Sequence, residues 1–342
     1  MPTQTPSSVS QFFSAHGYLS RWHPAFEQRP GQLRMARAVE DAIRERRHLL
    51  VEAGTGTGKT LAYLVPALLS GRRVVISTGT KNLQEQLFRK DLPLLQKHWD
   101  RPLRVCYMKG RANYLCKQKF YDAHKAAILD GLQEVSEFAQ IVNWEPSTLT
   151  GDRAELAGVS EDSRLWPKLD ARSERCTGQR CALFEDCFIT RMHRIAHESD
   201  VIIVNHHLLF ADLAVKDTDY GAIIPEYSVL ILDEAHEVED VAGQYFGNSV
   251  SNLQLQDLTR DLRLLFRTHR HAEPEMSRAA DWLEESSSAF FQCLVGPEGR
   301  FSAATLVPLG RQAEECYRQL MASLSLFGST LQLRAEGVAG FA

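Results

Sequence analysis

The sequence predicts an α/β fold: a parallel sheet with a phosphate-binding loop at its carboxyl edge. Three observations carry this. Short apolar runs alternate with helical patterns through the first 110 residues. A glycine-rich stretch ending in Lys59-Thr60 follows the first of those runs. A later apolar run, Val229 to Leu232, ends in two adjacent carboxylates.

In order, His48 to Glu52 is a short strand candidate. Leu61, Leu64, Val65 and Leu68 then recur at helical spacing. Arg73 to Ser77 reads as the next strand, and a helix runs through Leu83, Leu87 and Phe88, with Pro93 expected to end or kink it. Arg104 to Met108 is a third strand. Strand, helix, strand, helix, strand at this spacing implies parallel pairing with right-handed crossovers. Periodicity weakens between residues 110 and 190, which read as an insertion. Val201 to Val204 and Val229 to Leu232 are near-continuous apolar runs, as expected of strands covered on both faces. From about Asn252 the pattern is helical, through Leu253, Leu258, Leu262 and Leu265 and later Cys316, Leu320 and Leu324.

Composition narrows the class. Apolar content of 44% and a net charge of −4 exclude a dominantly disordered chain and a histone-like polycation. No run approaches the roughly 18 uncharged apolar residues of a membrane-spanning helix, so no membrane partner is expected. Met1 to Ser10 lacks the basic and apolar regions of a signal peptide, so a cytoplasmic, reducing setting is expected. The charge is uneven. Residues 101 to 120 hold Arg101, Arg104, Lys109, Arg111, Lys117 and Lys119 and no acid; residues 226 to 240 hold six acids and no Lys or Arg. The first suits a phosphate backbone and the second a hydrated cation, although either could be an ordinary solvated surface.

The sharpest signal is Glu52-Ala-Gly-Thr-Gly-Thr-Gly-Lys-Thr60. Small residues let the backbone curl until successive N–H groups point at one anion, and a helix N-terminus adds positive potential. Ala53, Gly54, Thr55, Gly56, Thr57 and Gly58 would cradle the phosphates of ATP. Lys59 would reach the β- and γ-phosphates, and the Thr60 hydroxyl would bind Mg2+. Ala53 stands where the strict consensus has glycine, as in many nucleic-acid translocases. Its partner is Val229-Leu-Ile-Leu-Asp-Glu-Ala-His236: Asp233 would hold hydrated Mg2+ and Glu234 would orient and deprotonate the attacking water.

Seven cysteines are present, three of them within twelve residues: Cys176, Cys181 and Cys187. In a reducing compartment such a cluster reads as metal ligation before disulfides. Four thiolates, counting Cys116, suit either an iron–sulfur cluster or tetrahedral zinc. The long gap from Cys116 to Cys176 is unusual for zinc. Cys106 lies in a strand and reads as core, and Cys293 and Cys316 as structural.

Taken together, these motifs resemble the superfamily 2 helicases, and more narrowly the XPD/DinG-like iron–sulfur DNA helicases of the bacterial DinG/YoaA type. Besides the phosphate loop and the Asp-Glu-Ala-His box, the resemblance rests on three segments. Arg29-Pro-Gly-Gln32 matches the adenine-side motif. Ser77-Thr-Gly-Thr-Lys-Asn-Leu-Gln-Glu-Gln86 matches the motif that touches the single strand. Val204-Asn-His-His-Leu-Leu209 matches the segment leading back into the motor. The resemblance implies a RecA-like ATP-binding domain 1 over residues 1–110 and 190–244, a 4Fe–4S domain over 111–189, and a partial helical arch over 245–342. No Ser-Ala-Thr motif after a strand follows (Ser302-Ala-Ala-Thr305 lacks the strand), so a second RecA-like domain is expected to be absent. It also implies that Gln32 contacts the adenine, that Cys116, Cys176, Cys181 and Cys187 bind the cluster, and that His236 couples nucleotide state to DNA contacts. Arg111, Lys117, Lys119, Tyr114 and Phe120 become candidate contacts to single-stranded DNA and its junctions with duplex. The implied activity is ATP-driven 5′-to-3′ movement and unwinding in DNA repair or replication stress, with replication or repair proteins as partners. Because the second domain of such motors supplies transition-state arginines, the chain alone is expected to bind nucleotide weakly and not to unwind DNA. Two rivals stand: a nucleotide- or DNA-binding fragment with a structural metal, and an RNA-directed motor with zinc.

Overall fold

The computed structural model describes residues 6–22, 27–54, 56–99, 101–126, 129, 131–160, 162–172, 176–216, 221–247, 250–268, 274–294 and 310–337. Ser302 to Thr305 lie outside them. The chain divides into two compact units, Met1–Gly247 and Asn248–Ala342.

The first unit is built on four parallel strands: β1 (Val74–Thr78), β2 (Val105–Tyr107), β3 (Val201–Asn205) and β4 (Val229–Leu232), in the order β2-β3-β1-β4. In register, Val74 faces Val201 on one side and Val229 on the other. Each strand comes from an apolar run, and β1 is buried along its whole length. The helices Pro30–Glu45, Lys59–Leu69 and Leu92–His98 cover one face, where Ala36, Leu64, Val65, Leu92 and Leu95 join Val74 and Ile76. The Phe188–Glu198 and His206–Val215 helices pack residues such as Met192, Ala196 and Leu209 against Val75, Ile202 and Val204 on the other. Helices on both faces of a parallel sheet are the doubly covered arrangement expected of apolar strands, but at β4 the expectation fails on one face, where Leu230 and Leu232 are exposed.

Two expectations need correcting. His48 to Glu52 does not form a strand: residues 47–54 carry no regular structure and Leu50 is 91% exposed. Among the described residues nothing pairs with the outer edge of β4, where Leu230 and Leu232 are exposed. An apolar run is only a strand once a neighbour supplies its ladder, and this one has none. Of the two outcomes expected at Pro93, an end or a kink, the end is not found. The α-helix Lys81–Gln86 widens into a π-helical turn at Leu87–Asp91 and resumes as Leu92–His98, with Pro93 in its first turn where no N–H is needed.

The insertion builds a core of its own from the Lys117–Ala126, Gly131–Trp144 and Trp166–Leu169 helices. Trp166 is its largest fully buried side chain, and its indole N–H donates to the Ala112 carbonyl at 2.8 Å. Trp166→Ala should therefore destabilise this unit by about 3–5 kcal/mol, through a cavity and an orphaned carbonyl. A urea titration of the purified protein checks it.

The second unit is helical: Asn252–Thr268, Pro274–Cys293 and Gly310–Gly337. Leu283, Leu320 and Phe327 share its core. Ser286 and Ser323 hydroxyls meet at 2.6 Å, and the sulfurs of Cys293 and Cys316 lie 3.5 Å apart. Seven residues forward on one helix match seven backward on the other, so this pair runs antiparallel. No helix among the described residues is long and apolar enough to cross a membrane.

Candidate active site

The phosphate loop curls because its glycines take backbone angles other residues avoid. Gly56 and Gly58 have φ of 76° and 80°. Gly58 caps the Lys59–Leu69 helix, and a side chain there would collide with the Gln32 amide. Thr57 donates its hydroxyl to the Gly54 carbonyl at 2.9 Å, Gln32 donates to the Gly58 carbonyl at 3.0 Å, and the Arg29 guanidinium donates to the Gly56 carbonyl. Arg29 and Gln32 thus brace the loop from the Pro30–Glu45 helix. Ala53 is half-buried at the loop's start, and Thr55 lies outside the described residues.

The carboxylates arrive on β4. The Asp233 N–H donates to the Ser77 carbonyl at 2.8 Å, extending the ladder one residue past Leu232. Glu234 then sits in the left-handed region at φ 55°, rare for a side chain of its size, and this turns its carboxylate back over the loop. The two motifs meet: Lys59 Nζ is 3.3 Å from Glu234 Oε1, across 175 residues of chain. The Glu234 N–H donates to Asp233 Oδ1 at 3.1 Å, and His236 Nδ1 lies 3.5 Å from Glu234 Oε2 with most of its ring in solvent.

Two residues here escaped the sequence reading. His206 is fully buried, with Nε2 at 3.0 Å from the Asp233 carbonyl and Nδ1 at 2.7 Å from the Ser77 hydroxyl. A carbonyl only accepts, so Nε2 carries the proton and Nδ1 accepts from Ser77. Burial lowers the pKa of this ring and keeps it neutral. His206 therefore ties Ser77, near the end of β1, to the Asp-Glu pair. Tyr63 is also buried, and its hydroxyl donates to Asp233 Oδ2 at 2.9 Å. The available signal was its spacing: three residues after Thr60 puts both on one helix face.

The candidate DNA contacts in the insertion are largely turned inward. Tyr114 and Phe120 are buried at 3% and 4% exposure, and the Tyr114 oxygen accepts the Lys109 N–H at 3.1 Å. Lys109 pairs with Asp152 at 2.6 Å, Lys117 with Glu145 at 3.3 Å and Lys119 with Asp170 at 3.9 Å. Arg111 donates to the Ala171 carbonyl at 2.8 Å. The stretch is basic in sequence and partly neutralised in space, because distant acids fold onto Arg104, Lys109, Lys117 and Lys119.

Among the described residues no three His, Cys, Asp or Glu side chains converge closely enough to hold a metal ion. Of the four candidate cysteines, Cys176 is the one whose surroundings favour the thiolate. Cys116 immediately precedes the Lys117–Ala126 helix, where burial raises its pKa and the N–H groups of Lys119 and Gln118 point at its sulfur; Cys187 lies near enough to act on it. Cys187 caps the Phe188–Glu198 helix, and Cys181 ends a short turn at Gly178–Arg180. At Cys176 burial pushes the pKa up, but the Gly178 N–H, the Arg111 guanidinium and Lys119 outweigh it and the net shift is downward. Cys106, in β2, is pushed by burial up to about 12. In metal-free protein Cys176 should therefore alkylate at lower pH than Cys116, and Cys106 last. Peptide mapping after a pH series of iodoacetamide pulses checks the order.

With this geometry in place, comparison with known proteins is informative. The DEAD/DEAH box helicase family matches residues 30–137, taking in the phosphate loop. The "ATP-dependent DNA helicase YoaA" of Haemophilus influenzae is 40% identical over 277 residues, 81% of this chain and 43% of that protein. The YoaA of Escherichia coli K12 is 41% identical over 278 residues, covering 81% and 44%. The "3'-5' exonuclease DinG" of Bacillus subtilis is 34% identical over 301 residues, covering 80% and 31%. The chain thus spans less than half the length of these relatives. A phosphate loop meeting an Asp-Glu-Ala-His strand on a parallel sheet, with these matches, places the chain among the DinG-like bacterial helicases.

Proposed function

We propose that this chain is the ATP-binding motor part of a DNA helicase that moves 5′ to 3′ on single-stranded DNA. It would act in the bacterial cytoplasm during repair or replication stress. The observation that carries the reading is the meeting of Lys59 with Glu234 at 3.3 Å. Without nucleotide, the ammonium neutralises the carboxylate. A γ-phosphate competes for Lys59 and frees Glu234 to take a water proton, so the base is exposed only when substrate arrives. Thr60 and Asp233 offer the hard oxygen donors that suit Mg2+, which when bound would neutralise charge on the phosphates. His206 links Asp233 to Ser77, and Gly79 lies against the Glu237 carboxylate. A shift of the Asp-Glu pair would therefore reach the loop after β1, which we assign to the DNA backbone.

We also assign residues 111–189 to an iron–sulfur domain and residues from about 245 to part of a helical arch. Four cysteines, with backbone N–H groups at the sulfurs of Cys116 and Cys176 and the Arg111 guanidinium beside Cys176, offer soft thiolate donors of the kind a 4Fe–4S cluster takes. Such a cluster would supply rigidity between helix ends that otherwise only abut. Cys116, Cys176, Cys181 and Cys187 would hold it.

A labelled single-stranded oligonucleotide tests the motor reading by fluorescence anisotropy. Its affinity should change several-fold between the states with ADP and with a non-hydrolysable ATP analogue, and more for DNA than for RNA. Equal affinity in both states would contradict a motor, and a stronger response to RNA would redirect the substrate.

A further inference from the structure

The Tyr63 phenol lies at the junction of the two side chains assigned to magnesium. Its hydroxyl donates to Asp233 Oδ2 at 2.9 Å, while the Glu234 N–H donates to Asp233 Oδ1 at 3.1 Å. Both oxygens of the carboxylate are thereby held, and its plane is fixed. The Thr60 hydroxyl lies against the same phenol oxygen. The ring is anchored: Tyr63 is 4% exposed and packs in the core beneath the sheet with Leu64 and Val65. Asp91 approaches from the π-helical turn, but its Oδ2 is buried without a hydrogen bond, so the phenol proton is committed to Asp233.

Chemistry explains the value of this arrangement. A hydroxyl that gives a lone pair to a cation still carries its proton, and that proton needs an acceptor away from the cation. The phenol oxygen can accept from Thr60 and pass its own proton to Asp233. We infer that Tyr63 is a positioning residue for magnesium, holding the Thr60 hydroxyl and the Asp233 carboxylate in mutual orientation before the ion arrives. This rests on the assignment of the site to ATP and Mg2+. Tyr63 touches neither nucleotide nor metal in this role; it acts through its two neighbours.

The test separates a positioning role from a merely structural one. ADP binding is measured by titration calorimetry with and without Mg2+, for the unaltered chain and for Tyr63→Phe, which keeps the ring and removes the hydroxyl. The gain in ADP affinity on adding Mg2+ should fall about five- to tenfold in Tyr63→Phe, the scale of one ordinary net hydrogen bond. ADP affinity without Mg2+ should stay the same. In an Asp233→Ala background, adding Tyr63→Phe should lower the Mg2+ gain by less than it does in the unaltered chain, because only the Thr60 side of the arrangement remains. An unchanged Mg2+ gain in Tyr63→Phe, an equal loss with and without Mg2+, or an undiminished loss on top of Asp233→Ala would each overturn the inference. Absence of ADP binding by the unaltered chain would instead remove the ATP assignment itself, and the inference with it.

Discussion

Lys59→Ala should cut ATP turnover by about 10²- to 10³-fold, the usual scale for removing one preorganised charge from a phosphoryl-transfer site. It should also weaken nucleotide binding. Two effects combine. The phosphates lose the cation that the loop presents at its helix N-terminus. Glu234 loses its lysine counter-charge, since Lys59 Nζ stands 3.3 Å from Glu234 Oε1. Glu234→Gln separates these effects. It removes the carboxylate that competes with phosphate for Lys59, so ADP affinity should hold or rise while turnover falls. A fluorescent ADP analogue and a coupled hydrolysis assay read the two quantities side by side. If Glu234→Gln weakened ADP binding as much as Lys59→Ala, the competition between carboxylate and phosphate would be wrong.

The second large effect concerns the insertion. After anaerobic purification the chain should carry about four irons and four sulfides and absorb near 400 nm. Cys187→Ser should abolish both. Serine is a good helix cap, and Cys187 caps the Phe188–Glu198 helix, so the substitution keeps the local helix and removes only the soft ligand. Cys116→Ser should behave likewise at the start of Lys117–Ala126. Cys293→Ser should leave iron content unchanged, because Cys293 faces Cys316 at 3.5 Å in the helical unit. A colourless protein with one zinc would replace the iron–sulfur assignment with a zinc one. Equal iron in the unaltered chain and in Cys187→Ser would remove Cys187 from the ligand set.

Much of the architecture was legible because it is local. The runs that became β1, β2, β3 and β4 are apolar over each strand, and the loop that opens the Lys59–Leu69 helix declares itself by its glycines. His48 to Glu52 shows the limit: it is as apolar as its neighbours, yet strand formation depends on a partner that local pattern cannot supply. The basic stretch from Arg101 to Lys119 shows another. Four of its six cations, Arg104, Lys109, Lys117 and Lys119, pair with Asp200, Asp152, Glu145 and Asp170, which lie far along the chain. At the active site, Lys59, Asp233 and Glu234 announced themselves by motif. Tyr63 and His206 did not, because each matters only through a contact with Asp233 that the fold creates, across 170 and 27 residues.

ATP hydrolysis by the anaerobically purified protein, with and without single-stranded DNA, tests the central claim most directly. The account predicts turnover that is low for the chain alone, rises on adding DNA and falls by about 10²-fold or more in Lys59→Ala and Glu234→Gln. Turnover that ignores DNA, or that survives both substitutions, would contradict the claim that the Lys59–Glu234 site drives a motor on a DNA strand.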